Sequence, residues 1–270
     1  GTFASKMAVS NCDGVVCTQP ENPDYDAIVA MQAGGIVVPG AQVGIIVRPW
    51  TWLRLGAAWE SGYAIEKKAN LAIRLPSAPI YAQAEVDPDS ATADVRMKMP
   101  MQWRAGIEAS PSQDLRGEIS FVYEPWSIHD SIVVEPNDVT LRDVEVLGDY
   151  RMETIKLDQR FRNTWSLRSG VEWSPPGGDL TLRGGALYEP SAIPDNALTP
   201  MAIDLDKWVL CAGLGYRIGS FDLDITYGHV FMARKQITDS EIKQVNPTRP
   251  PFEGATTIGD GEYSAGANVF

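Results

Sequence analysis

Apolar and polar residues alternate with a period of two along much of this chain. After Thr51, Leu53, Leu55, Ala57 and Trp59 fall on one side, with Arg54, Gly56, Ala58 and Glu60 on the other. Successive side chains of a strand leave opposite faces, so this period predicts β-strands. The same alternation places Val43, Ile45 and Val47 against Gln42, Gly44 and Arg48. It returns over 101–109, 115–124, 165–173, 180–189, 208–217 and 221–231. Tight corners join these segments in pairs: Arg48-Pro49-Trp50-Thr51, Ser110-Pro111-Ser112-Gln113-Asp114, Ser174-Pro175-Pro176-Gly177-Gly178-Asp179 and Gly219-Ser220. At the other end the connections are long, about 75–95, 130–155, 190–206 and 234–261.

Short turns at one end and long loops at the other predict an all-β fold, an antiparallel transmembrane β-barrel with a lipid-facing outside and a wet interior. Trp50, Trp52, Trp173 and Phe221 fall near the short turns, and Trp59, Tyr123, Trp126, Tyr188 and Trp208 further along, where aromatic girdles belong. The rival is a soluble β-sandwich, whose second face would meet bulk water. Glycines on that face, among them Gly44, Gly56, Gly106, Gly170, Gly185 and Gly213, fit a crowded interior better.

Composition narrows the field. The chain has 270 residues and a net charge of -12, which argues against nucleic acid as a partner. There is no apolar run of eighteen residues, so no transmembrane helix is expected, a result silent about spanning strands. Cys12 and Cys17 bracket a turn-rich stretch and read as a local disulfide in an oxidising compartment, with a metal half-site as the alternative. A zinc site would call on His129 and His229, the two histidines present, and neither sits in a metal-binding pattern. Cys211, inside a strand pattern, reads as a small buried filler. The histidines also lack a Ser or Asp setting for nucleophilic catalysis, so no enzyme is expected.

The inward face carries Arg48, Arg54, Arg104, Arg116, Arg168, Arg183 and Arg217, interleaved with Glu108, Glu118, Glu172, Asp222 and Asp224. Two readings stand side by side. The charges form an ion-pair lattice that stiffens the wall, or one or two arginines bind a ligand carboxylate in bidentate fashion. Arg54, Arg104, Arg183 and Arg217 are the candidates for the second. In the long connections Ile80, Tyr81, Ile193, Leu198, Met201 and Ile203 are apolar; they either pack the loops together or contact a hydrophobic ligand.

These motifs, in this order, resemble the FadL-type outer-membrane transporters of long-chain fatty acids and aromatic hydrocarbons. The likeness rests on Val43–Pro49 with Leu53–Ser61, on Met99–Gly106, on Tyr123-Glu124-Pro125-Trp126-Ser127, and most on Leu182–Asp195 followed by Trp208–Arg217. Gly261–Phe270 resembles the start of the family's closing strand. The resemblance covers roughly residues 28–270 and implies a fourteen-stranded barrel with an amino-terminal hatch, in the bacterial outer membrane. It implies passive, energy-independent uptake of hydrophobic small molecules, with no cofactor and with outer-membrane lipid and lipopolysaccharide as surroundings. On this reading residues 1–27 are a loop segment and 28–270 a partial barrel, about the carboxyl-terminal two-thirds of such a protein. A structural or ligand-binding barrel without transport is the alternative.

Overall fold

The computed structural model describes residues 3–10, 24, 26–145, 148–200, 202–242, 257 and 259–269. In chain order the strands begin with β1 (Phe3–Ser10), β2 (Asp26–Ala33), β3 (Gln42–Trp50), β4 (Leu53–Glu60) and β5 (Tyr63–Arg74). Next come β6 (Glu85–Asp87), β7 (Thr92–Met99), β8 (Gln102–Ala109), β9 (Leu115–Glu124) and β10 (Ser131–Pro136). They continue with β11 (Thr140–Val144), β12 (Gly148–Arg151), β13 (Ile155–Asp158), β14 (Thr164–Trp173) and β15 (Leu180–Glu189). The last are β16 (Lys207–Ile218), β17 (Phe221–Met232), β18 (Lys235–Ile237), β19 (Gly261–Tyr263) and β20 (Gly266–Val269). No helix among the described residues is long and apolar enough to cross a membrane.

Nine strands form one antiparallel sheet in the order β20-β17-β16-β15-β14-β9-β8-β4-β3. Its two faces invert the usual rule for proteins in water. Ile45, Ile119 and Ile225 are 63%, 58% and 62% exposed on the apolar face, and no hydrophobic cluster among the described residues covers them. Aromatic residues mark both borders of that face. Trp59, Trp103, Tyr123 and Trp165 stand directly opposite one another across four strands, and Tyr188, Trp208 and Phe231 carry the row onward. Near the short turns Trp50 and Trp52 stack at 5.7 Å, and Trp173 pairs with Leu115. From Trp165 to Trp173 the strand climbs about 27 Å at about 3.4 Å per residue. Tilted by about 35–45° as barrel strands are, it rises about 19–22 Å between the two aromatic borders, most of an apolar band of about 25 Å.

Beyond the upper aromatic row the wall continues into a six-stranded sheet ordered β1-β2-β5-β7-β10-β13. Glu60 pairs with Gln102 and Tyr63 with Met99, so β4–β5 and β8–β7 keep one register through a break at 61–62 and 100–101. Pro100 removes a ladder donor there. Gly62 is required by close approach: a Cβ would lie 2.7 Å from the Met99 carbonyl oxygen and 2.8 Å from the Met101 nitrogen. Because both neighbours are backbone, Gly62→Ala is expected to destabilise the protein by about 1–3 kcal/mol, seen as a lower denaturant midpoint in detergent. An unchanged midpoint would mean that the seam yields freely.

One face of the six-stranded sheet is dry. Val29, Ala69, Leu71, Ala93, Val95 and Val134 pack there with Leu141 and Val144 of a small three-stranded sheet, β12-β11-β6. A second cluster joins Ile193, Leu198, Leu205, Ile237 and Tyr263. These two clusters hold nearly all of the buried apolar residues described, and they lie outside the nine-stranded wall. Two expectations change here. The connections 75–95 and 130–155 contain strands β6, β10, β11, β12 and part of β7, too short or too charged to show a period of two. Phe3–Ser10, read as loop, pairs with β2 from Phe3↔Ala33 to Ser10↔Asp26, because a neighbouring strand satisfies its backbone groups. Cys12 and Cys17 lie outside the described residues, and so does Met201.

Candidate ligand groove on the inner wall

Even-numbered positions of β4, β8, β9 and β14 face inward, and cross-strand register sets which of them meet. Arg54 stands opposite Glu108 and binds it, Nη1 to Oε1 at 2.9 Å. Arg104 binds Glu60 at 3.1 Å and donates through Nε to Gln102. Nearer the turns Glu172 bridges two arginines, Arg116 at 3.1 Å and Arg183 Nε at 2.7 Å, and Arg183 also donates to Asp224. Arg217 pairs with Asp222 at 2.8 Å. These are half-exposed pairs, each worth about 0.2–1 kcal/mol. Their consequence is orientation: every guanidinium in such a pair is held against the wall.

The wall between β3 and β14 forms a groove of 610 Å³. Its floor is Gly44, Gly56, Ala58 and Gly106, with Ile46 at one end and Val122 near the other. Arg54, Arg104 and Arg168 rim it, with Glu108 and Glu118. Glycine on the floor leaves depth: at Gly56 a Cβ would have nothing nearer than the Ile45 carbonyl oxygen at 4.0 Å. A smaller groove of 380 Å³ adjoins it over β14–β17, lined by Glu118, Gly170, Arg183, Gly185 and Cys211. No group of acidic, histidine or cysteine side chains suited to a metal ion occurs among the described residues.

The predicted site residues separate into three sets. Arg54 and Arg104 line the larger groove; Arg183 lines the smaller; Arg217 lies at the β16–β17 turn, outside both. Tyr81 is buried in the first hydrophobic cluster with Ile80 packed on it, and Ile193 and Leu198 are buried in the second. Of those loop residues that are described, Ile203 is the one left exposed, at 51%. Cys211 is a correction: it is exposed, because its inner-face neighbours across the ladder are Gly185 and Gly228, which cannot cover it. The two histidines hold structural positions. His129 is buried between Trp126 and Phe161 with Nδ1 2.5 Å from the Lys98 carbonyl oxygen, and His229 Nδ1 lies 2.7 Å from Asn268 Oδ1. In the sequence Arg168 and Glu118 stand out as inward charges but not as site residues. The structure gives neither an oppositely charged partner within ion-pair distance among the described residues.

Residues 3–269 match the family described as Outer membrane protein transport protein (OMPP1/FadL/TodX). The chain belongs to this family. The match begins at residue 3, so it takes in β1 and β2 as well as the motifs that start near residue 28. A similar solved structure is that of a Pseudomonas aeruginosa FadL homologue, 18% identical, with a TM-score of 0.68 over 99% of this chain and 58% of that one. A TodX monoaromatic hydrocarbon channel deltaS2 mutant is also similar, 18% identical, with a TM-score of 0.50 over 87% of this chain and 53% of that one. The chain thus spans little more than half the length of these solved relatives. No curated protein matches it. Membership makes the nine-stranded sheet the wall of a transmembrane β-barrel in the bacterial outer membrane, its apolar face turned to lipid.

Proposed function

We propose that this FadL-family chain serves passive, energy-independent uptake of hydrophobic compounds, with long-chain fatty acids as the substrate class. The groove over β3–β14 carries this reading. It joins an apolar, glycine-deepened floor to a rim of arginines, the arrangement an amphiphile with one anionic end requires. Each methylene moved from water onto such a floor contributes about 0.8 kcal/mol. A plain aromatic hydrocarbon, of the kind named for the similar TodX channel, would leave the arginines unused. Arg54 and Arg104 flank the ligand in this reading, while Arg183 and Arg217 belong to the wall lattice. Tyr81 and Ile193 act indirectly, by packing the connections above the wall, and exposed Ile203 is left for a first contact. Residues 28–270 work as one barrel unit, with the upper aromatic row among the outer-membrane lipids and lipopolysaccharide.

The test is uptake of a labelled long-chain fatty acid by cells whose own transporter is deleted and replaced by this protein, with and without an uncoupler. Saturable uptake that survives the uncoupler and is outcompeted by palmitate but not by toluene is expected. Competition by toluene alone would move the substrate to aromatic hydrocarbons. Binding in detergent without uptake would leave a ligand-binding barrel.

A further inference from the structure

We infer that Arg168 is the head-group anchor of the larger groove and that Glu118 opposes it, so that these two side chains together set how strongly a carboxylate is preferred. The inference rests on the proposed uptake of amphiphiles and assigns the specificity of that same groove.

Ion pairing distinguishes Arg168 from the other two arginines of the rim. Glu108 already neutralises Arg54 and Glu60 already neutralises Arg104, so a ligand carboxylate there must share or displace an existing partner. That exchanges one charge-assisted pair for another with little gain. Arg168 has no ion pair among the described residues. It donates through Nε to Ser166 Oγ at 3.2 Å, and Ser166 is 1% exposed, which fixes that end of the guanidinium. The remaining N–H groups, on the two Nη atoms, have no acceptor among the described residues. A guanidinium presents five donors in a planar fork, and the free donors suit a carboxylate bound in bidentate fashion.

Arg168 also occupies the end of a row. Register places Arg168, Ser120, Gly106, Gly56 and Ile46 side by side across β14, β9, β8, β4 and β3. At about 4.8 Å per strand the row is about 19 Å long, the reach of a long acyl chain. An acid held at Arg168 can therefore lay its tail over Gly106 and Gly56 toward Ile46 without leaving the groove. On the other side Arg168 faces Leu187, whose own neighbour is Val209, and the acid on that strand's inward face, Glu189, is paired with Lys207 at 2.7 Å.

Glu118 is the counterweight. It stands directly opposite Glu108, a like-charge placement that is unfavourable by itself. Arg54 neutralises Glu108. Glu118 has no such partner among the described residues. Its register partner is Gly170, which makes it the diagonal neighbour of Arg168, about 7–8 Å away between backbones and within reach of two long side chains. Either Glu118 or a ligand carboxylate can take the free Nη donors, and the two compete.

The experiment measures displacement of a fluorescent long-chain fatty acid from the detergent-solubilised protein by palmitic acid and by hexadecanol, which differ only in the head group. The wild type is expected to favour the acid about tenfold, the scale of one charge-assisted pair. Arg168→Met brings the ratio to about one while hexadecanol affinity stays as it was, which also reports an intact groove. Arg168→Lys restores part of the preference, and Glu118→Gln raises the ratio above wild type. A wild type without head-group preference, or an Arg168→Met variant that keeps it, overturns the inference and leaves uptake standing. Failure of the wild type to bind either compound overturns the uptake reading and this inference with it.

Discussion

Leu141→Ala is expected to cost about 2–5 kcal/mol, the range for emptying a fully buried leucine site, and to do so without opening the barrel wall. Leu141 is 0% exposed and lies in the dry interface between β11 and the six-stranded sheet. The ion pairs that also hold this layer are weaker. Arg142 reaches Asp87 at 2.5 Å and Asp149 at 2.9 Å, but all three side chains are about half exposed. Such pairs contribute about 0.2–1 kcal/mol each, so packing decides the stability of the layer. Limited proteolysis should therefore cut the variant within 137–153 at concentrations that spare wild type, while the heat-dependent gel mobility typical of an intact barrel persists. Ile203→Ala, at a site 51% exposed, should leave both readouts unchanged. Wild-type resistance in Leu141→Ala would show that the layer is held by its ion pairs after all, and loss of the barrel signature would show that wall and upper layer unfold as one.

The wall could be read from the sequence, because lipid on one side and a wet lumen on the other enforce alternation over eight to twelve residues in every wall strand but the short β20. Trp165, Leu167, Val171 and Trp173 against Ser166, Arg168, Gly170 and Glu172 is unambiguous for that reason. The upper layer obeys no such constraint. In β5 the dry face runs Ile65, Lys67, Ala69, Leu71, Ile73, and Lys67 breaks the pattern by sending its ammonium to the Gly35 carbonyl oxygen at 3.3 Å. Strands β6, β11 and β12 have three to five residues each, too few to display a period. The groove was half visible. Its arginines were legible as inward charges, but their pairing depends on which residue of the next strand stands opposite, and turn geometry sets that. Arg183 and Arg168 look alike in the sequence; the register ties one to Glu172 and Asp224 and leaves the other without an ion pair among the described residues. Cys211 misled for the same reason, since its exposure follows from glycines on the two neighbouring strands.

Which face meets lipid leads to the second large effect. Ile119→Arg should destabilise the folded protein in bilayers by about 2–4 kcal/mol, the cost of an arginine near the midplane of a barrel's apolar band. Ile119 lies halfway along β9 between Tyr123 of the upper aromatic row and Leu115 beside Trp173, and its side chain is on the exposed apolar face. Ser120→Arg, one residue on, puts the same group on the opposite face among Gly106 and the charged rim of the groove, and should cost well under about 1 kcal/mol of stability. Because the period of a strand is two, these adjacent substitutions share backbone, strand propensity and depth, and differ only in the medium they enter. Urea titration of the protein folded into phosphatidylcholine vesicles compares them directly. A water-soluble sheet with Ile119 merely exposed would tolerate arginine there as readily as at Ser120, so equal midpoints would refute the lipid-facing assignment. A large loss confined to Ile119→Arg would fix the orientation of every strand joined to β9 in register, and with it the inward placement of Arg54, Arg104, Glu118 and Arg168 on which the groove depends.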